Sequence, residues 1–167
     1  MMDFIVDSMR DTDWQQVAAI YFEGIITGKA TFQNEVPTWE QWDSSHLKSC
    51  RIVARLEDKI VGWAALSPTS SRAVYAGVTE VSVYVRQGYR GMGVGEALLG
   101  ELIRLSEENG IWTLQSGIMR QNTSSIVLHR KSGFREIGYR EKVGKMPDGT
   151  WHDVILMERR SKVAGCS

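Results

Sequence analysis

The sequence predicts a mixed α/β fold: one sheet with helices packed against it. Three observations carry this expectation. Runs of β-branched and aromatic residues alternate with stretches of helical periodicity, and the chain closes with two strands around a Pro-Asp-Gly turn, an antiparallel finish. Its 167 residues suit a single domain, since domains run to about 150 residues. Hydrophobic residues make up 43% and charged residues 24% of the chain, too apolar a balance for disorder. The expected domain is residues 1–167, with a frayed polar tail from about residue 160.

In chain order, residues 3–9 read as a first strand around Phe4-Ile5-Val6. Thr12 stands three residues before Gln15, a capping-box spacing, and Trp14, Val17, Ala18 and Tyr21 then mark one face of a helix. A polar loop from Gly24 to Pro37 carries Thr31, Phe32 and Glu35; a second helix is expected from Thr38 to about Lys48, with Trp39 and Trp42 on one side. Arg51–Leu56 and Ile60–Leu66, joined by Glu57-Asp58-Lys59, read as a hairpin. Glu80-Val-Ser-Val-Tyr-Val85 is a strand by its β-branched content. The strongest helix runs from Gly95 to about Asn109, where Asn109-Gly110 stops it. Trp112–Ile118 is a strand, Ile126–Ser132 a short helix ended by Gly133, and strands near Ile137–Val143 and Val154–Met157 flank Pro147-Asp148-Gly149.

Composition excludes several functions. Twenty basic and twenty acidic residues cancel, so no broad cationic surface for nucleic acid is expected. No apolar run approaches the roughly 18 residues needed to cross a bilayer. The start, Met1-Met2-Asp3-Phe4, lacks the basic and apolar regions of a secretory signal. Two cysteines, Cys50 and Cys166, make neither a disulfide framework nor a thiolate zinc site. The expectation is a cytoplasmic protein without a metal or a membrane partner. The six tryptophans sit mostly at helix or strand positions and read as core or interface.

The most informative stretch is Arg86-Gln-Gly-Tyr-Arg-Gly-Met-Gly-Val-Gly-Glu-Ala-Leu-Leu99, between a predicted strand and a predicted helix. Its glycines let the main chain approach a ligand, and the first turn of the following helix offers unpaired N–H groups at its positive end. Together these make an anion site suited to a phosphate or pyrophosphate. No glycine is followed by Lys and then Ser or Thr, so this is not a Walker loop. The dinucleotide spacing fails at Glu96 and Leu98. Arg90-x-x-Gly93-x-Gly95 resembles the signature of the GNAT superfamily of acetyl-CoA-dependent N-acetyltransferases. The flanking Glu80–Val85, Asn122-x-x-Ser125-x-x-Leu-His129-x-x-x-Gly-Phe134, Thr31-Phe32 with Glu35 and Pro37, and Trp151-His-Asp-Val154 resemble its phosphinothricin and methionine-sulfoximine branch. The likeness covers about residues 3–158.

This resemblance implies a mostly antiparallel mixed sheet with a splayed central strand pair, acetyl-CoA as co-substrate, a small amine acceptor and a homodimer, with Trp151 and the late strands as a contact surface. It places the pantetheine arm against Val83, Tyr84 and Val85, and the pyrophosphate on Arg90, Gly91, Met92, Gly93, Val94, Gly95 and Glu96. A backbone N–H near Val83 would face the oxygen that gains charge. Asn122 could bond the coenzyme or simply cap a helix, and Lys131 could reach a phosphate or stand in solvent.

Acetyl transfer needs a neutral amine and a proton for the departing thiolate. Glu80, at the start of the coenzyme strand, is the candidate general base, directly or through water, with partial burial expected to tune it; otherwise it is an ammonium counter-ion or a solvent-exposed strand-edge residue. His129 is the rival acceptor, or else a satisfied residue contacting backbone. Tyr139 could protonate the thiolate or belong to the core. The acceptor set is Phe32, Arg72, Tyr75, Glu80, Ser82 and His129, in which Arg72 supplies a cation and Phe32 and Tyr75 an aromatic wall. The loop Ser67–Gly77 departs from the branch, lacking its aromatic-Arg-Pro cluster, which leaves the acceptor open. A polyamine, an aminoglycoside, a protein N-terminus, or coenzyme binding without catalysis are the alternatives.

Overall fold

The computed structural model describes residues 3–167. The chain runs β1 (Ile5–Ser8), α1 (Trp14–Ile26), α2 (Trp39–Ser45), β2 (Ile52–Leu56), β3 (Lys59–Pro68), β4 (Val78–Val85), α3 (Val94–Glu108), β5 (Thr113–Met119), α4 (Thr123–Lys131), β6 (Arg135–Lys145) and β7 (Trp151–Arg160). Single 3₁₀ turns lie at Asp11–Asp13 and Ala73–Tyr75. Seven strands form one sheet in the order β1-β2-β3-β4-β5-β7-β6. Every pairing is antiparallel except β4 with β5.

Both faces of the sheet are covered, because the central strands carry apolar residues on both sides. On one face Val81 of β4, with Val83 and Val85 beside it, joins Val94, Leu98, Leu99 and Leu102 of α3 and Ile126 of α4. On the other, Val17 and Ile20 of α1 and Trp42 of α2 pack with Val53, Trp63 and Ala65. Burying each such side chain contributes about 1.5–3 kcal/mol. Tyr84 belongs to this second layer, stacked on Trp63 with ring centroids 4.9 Å apart. Helix α1 can lie this close only because of Gly24, where a Cβ would stand 2.6 Å from the Tyr84 ring. Strand alternation puts Glu80 and Ser82 on the Tyr84 side.

The parallel pair is short. β4 and β5 pair only at Val78–Thr113, Thr79–Leu114 and Glu80–Gln115. Beyond Glu80, β4 continues along β3 as far as Val85–Gly62, while β5 continues along β7. The sheet is therefore parted from Glu80 onward, as the resemblance implied. Arg86 N–H donates to Val61 O at 2.8 Å, so by alternation Tyr84 faces β3. Val83 and Val85 turn their N–H and C=O groups toward the opening.

Four local expectations are corrected. Thr12 does not cap α1: the Asp13 carboxylate accepts the Arg10 N–H at 2.9 Å and is gripped by both Arg55 nitrogens at 2.9 Å. That buried, paired carboxylate fixes the entry to the helix. The loop expected from Gly24 begins later, since α1 continues to Ile26. The tail is not frayed. Ser161 Oγ donates to Glu107 at 2.6 Å and accepts from Ala164 N–H at 2.9 Å, and Arg160 donates to the Ala164 and Gly165 carbonyls at 3.0 and 2.7 Å. The Glu107 contact ties the tail to α3 and the local bonds fold it onto itself, which outweighs its polar composition. The two late strands also run longer than expected.

Candidate active site

The Arg86–Gly95 segment turns sharply between β4 and α3. Gly88, Gly91 and Gly93 all have positive φ, and Gly93, the residue preceding α3, sits at φ 85° and ψ 3°. Gly95 is the exception, lying within α3 with an ordinary helical conformation. The first helical bond of α3 is Ala97 N–H to Gly93 O, and no side chain caps its N-terminus. The N–H groups of Val94, Gly95 and Glu96 are thus left to a ligand. Gly91, Gly93, Gly95 and Glu96 line a cleft of about 460 Å³, together with Val83, Val85, Asn122 and three cations, Lys29, Arg90 and Lys131. Arg90 Nε donates to Val85 O at 3.3 Å. Unpaired amides with three cations suit a polyphosphate.

A second cleft of about 710 Å³ lies where β4 and β5 part, closed on one side by the loop from Ala30 to Pro37 and by α2. Val83, Tyr84, Asn122 and Ser125 line both clefts, so the two meet at the free edge of β4. Glu80, Ser82, Phe32 and His129 all line the larger one. Phe32 is seated on the hairpin, where a Cβ on Gly144 would stand 2.2 Å from its ring, and its ring is 6.1 Å from that of His152.

The structure places the expected residues unequally. Asn122 caps α4, accepting Ser125 N–H at 3.4 Å, and still lines both clefts, so the two readings of it are compatible. Met92 and Val94 line neither cleft: Met92 is exposed, and the Val94 side chain is buried in the core beneath the loop. Glu80 is exposed, which corrects the expectation of partial burial: the parting of the strands leaves its side chain in an open cleft. Arg72 and Tyr75 are not brought to either cleft; they stack on each other across 5.7 Å on the exposed 3₁₀ turn. Tyr139 is also outside. It is half-exposed on β6, an edge strand, and its hydroxyl donates to Asp153, which also accepts Lys142 N–H at 2.7 Å. Tyr139→Phe should therefore leave kcat within about twofold; a loss of tenfold or more in steady-state assays would return it to the chemistry.

Residues that sequence reasoning missed line much of the larger cleft, Tyr21, Gln41, Trp42, Ser45 and His46, and Lys29 lines the smaller one. The two tyrosines of the cleft, Tyr21 and Tyr84, are raised above the usual phenol value by burial, so both stay protonated and neutral.

His129 is 3% exposed. Its Nδ1 lies 2.7 Å from Ser125 O and so carries the proton, while Nε2 is buried with no partner among the described residues. Burial holds this imidazole below its ordinary value, and does the same for His46. The unfolded chain, with histidines near 6.5, therefore binds more protons than the folded one once the pH falls below that value. Stability should be level above about pH 6.5 and fall as the pH drops toward 5. In thermal melts His129→Gln should flatten part of this slope; an unchanged slope would remove His129 from the linkage.

The sequence profile of the acetyltransferase (GNAT) family matches residues 13–134. The L-methionine sulfoximine/L-methionine sulfone acetyltransferase of Pseudomonas aeruginosa is 34% identical over 161 residues, 90% of this chain and 92% of the relative. The crystal structure of a GNAT superfamily phosphinothricin acetyltransferase from Sinorhizobium meliloti in complex with AcCoA superposes with a TM-score of 0.87 and 26% identity, covering 99% of this chain and 92% of that one. A ribosomal-protein-alanine N-acetyltransferase from Brucella melitensis gives 0.84 and 30%, over 94% of this chain and 99% of that one. Matched span, identity and fold agree: the chain belongs to the acetyltransferase (GNAT) family and is an N-acetyltransferase.

Proposed function

We propose that this enzyme moves the acetyl group of acetyl-CoA to the amine of a small amino acid or amino-acid analogue. The observation that carries the reading is the meeting of the two clefts along Val83 and Tyr84, with Glu80 on the acceptor side and the α3 N-terminus on the other. The relatives named above, two of them acting on amino-acid analogues by name, support the acceptor class.

In this reading the coenzyme supplies the thioester and the chain holds it. The Gly91–Glu96 amides with Lys29, Arg90 and Lys131 bind the phosphates, and the free edge of Val83 and Val85 pairs with the amide-rich arm as an added strand would. The Val83 N–H is the donor available to the carbonyl oxygen as it gains charge. Glu80 holds the incoming ammonium and takes its proton, directly or through a water in the open cleft. The amine nitrogen then forms the new N–C bond as the C–S bond breaks, and the excess proton on that nitrogen passes, directly or through water, to the departing thiolate, which leaves as the thiol. His129, neutral and with an unpartnered Nε2, is the second group able to take or pass a proton at the acceptor side. Much of the rate comes from holding amine and thioester together.

The half-exposed Ile137, Tyr139 and Trp151 on the outer hairpin support a homodimer through β6 and β7. Two free thiols, Cys50 and Cys166, support a reducing, cytoplasmic setting. Among the described residues no helix is long and apolar enough to cross a membrane.

The test is thiol release from acetyl-CoA across a panel of amines. Release with methionine sulfone, methionine sulfoximine or phosphinothricin supports the proposal. Release only with polyamines, aminoglycosides or alanine-terminated peptides moves the acceptor to one of those. Coenzyme binding without thiol from any amine replaces catalysis by coenzyme sensing.

A further inference from the structure

One sequence motif takes no part in the chemistry above. Trp151-His-Asp-Val154, at the start of β7, lines neither cleft, and it pairs with an irregular stretch of β6. Arg140 pairs with Val154 and Gly144 with His152, so β6 advances four residues while β7 advances two. The bulge carries Lys142 at φ 44°, and its N–H, left without a ladder partner, donates to Asp153 Oδ1 at 2.7 Å. The Tyr139 hydroxyl donates to the other oxygen of the same carboxylate. Asp153 thus holds the bulge in place, and beyond it the ladder resumes with Gly144 opposite His152.

The Phe32 ring fills the place where a side chain on Gly144 would be. The three atoms nearest a Cβ there are all carbons of that ring, two of them at 2.2 and 2.3 Å. The His152 ring meets Phe32 edge-on with centroids 6.1 Å apart, and its Nδ1 lies 3.2 Å from Gln121 Oε1. Phe32 lines the Glu80 cleft from the Ala30–Pro37 loop, where its neighbour Thr31 lies beside the Tyr21 and Tyr84 phenols.

From this arrangement we infer that Gly144 is a positioning residue for the acceptor: its missing side chain is the seat that keeps the Phe32 ring against the cleft, and the bulge held by Asp153 sets that seat opposite His152. The inference rests on the acetyl transfer proposed above and adds to it a residue from outside the cleft. Gly144 is not among the glycines with positive φ, so the main chain there tolerates another residue and the obstacle is the ring. Ordinary carbon contact is about 3.5–4.0 Å, so a methyl group at 144 must drive the ring off by more than about 1 Å. Phe32 is 41% exposed, and its ring can swing aside without unpacking the core. A displacement of that size in a wall of the cleft falls on how the amine is held.

The experiment compares Gly144→Ala with the wild-type enzyme by thiol release, with methionine sulfone as the acceptor. KM for the acceptor should rise about fivefold or more while kcat changes by less than about threefold and the acetyl-CoA dissociation constant by less than about twofold. Gly138→Ala is the control. It lies on the same strand, and a Cβ there would make ordinary contact, 3.7 Å from Leu156, so its KM and melting temperature should stay near the wild-type values. In a Phe32→Ala background, Gly144→Ala should add less than about twofold to KM, because the ring it displaces is gone. A wild-type KM in Gly144→Ala, or an effect that persists in full without Phe32, would overturn the inference. So would a melting temperature for Gly144→Ala far below that of Gly138→Ala, since the contact would then hold the fold and not the ring. Failure of the proposed function reads differently. No thiol from the wild-type enzyme with methionine sulfone, but release with a peptide or polyamine, changes the acceptor, and the same comparison with that amine then decides the seat; no thiol with any amine removes both.

Discussion

Replacing Gly93 by valine should abolish measurable acetyl-CoA binding while leaving the protein folded. Gly93 sits at φ 85°, where a β-branched residue is strongly disfavoured, so the loop must move to relieve it. Nothing in the protein lies within 4 Å of the position a Cβ would take, so the substitution meets no wall of the core. Its effect falls on the loop and on the space where the phosphates are expected. Gly110 is the control: it has φ 74° and equally open surroundings, but lies past the far end of α3. Gly110→Val should lower the melting temperature comparably and leave the coenzyme dissociation constant unchanged. Titration calorimetry on both variants separates strain from lost binding, and retained affinity in Gly93→Val would mean the loop is misassigned.

Glu80→Gln should lower kcat by about 10²-fold or more, with the acetyl-CoA dissociation constant nearly unchanged. The change is isosteric and the side chain is exposed, so stability should move by less than about 0.5 kcal/mol. The amide can neither take the proton nor neutralise the ammonium, so KM for the acceptor should rise as well. An unaltered kcat at neutral pH would take Glu80 out of the mechanism and leave His129 as the proton acceptor. Measuring His129→Gln beside it shows whether the two act as a unit, since the double variant would then cost little more than Glu80→Gln alone.

What could be read from the sequence was local. The strand from Glu80 to Val85, the glycine turn and the helix after it are contiguous, and their chemistry follows from backbone conformation within about 20 residues. Asn122 was legible for the same reason, since its cap bond to Ser125 spans three residues. The acceptor wall was not. Trp39 and Trp42 announce a helix with one apolar side, and they do stack. Nothing in that pattern says that Gln41, Ser45 and His46 will face a cleft opposite β5. Arg72 reads as a cation for an acidic acceptor group, but the 3₁₀ turn it precedes stacks it on Tyr75 outside both clefts, a placement set by the loop's path and not by local pattern. Tyr139 reads as core by its strand period, yet β6 ends up at the sheet edge, a matter of strand order that no local period encodes. The docked tail, pinned to Glu107 some fifty residues away in the chain, is another long-range effect.

The most direct test is a crystal structure of this protein grown with acetyl-CoA. The account predicts the diphosphate on the amides of Gly91–Glu96, the pantetheine arm along Val83 and Val85 in the gap that opens after Glu80, and the acetyl group turned toward the Glu80 cleft. A coenzyme bound with the glycine turn empty, or lying outside the gap between β4 and β5, would contradict it.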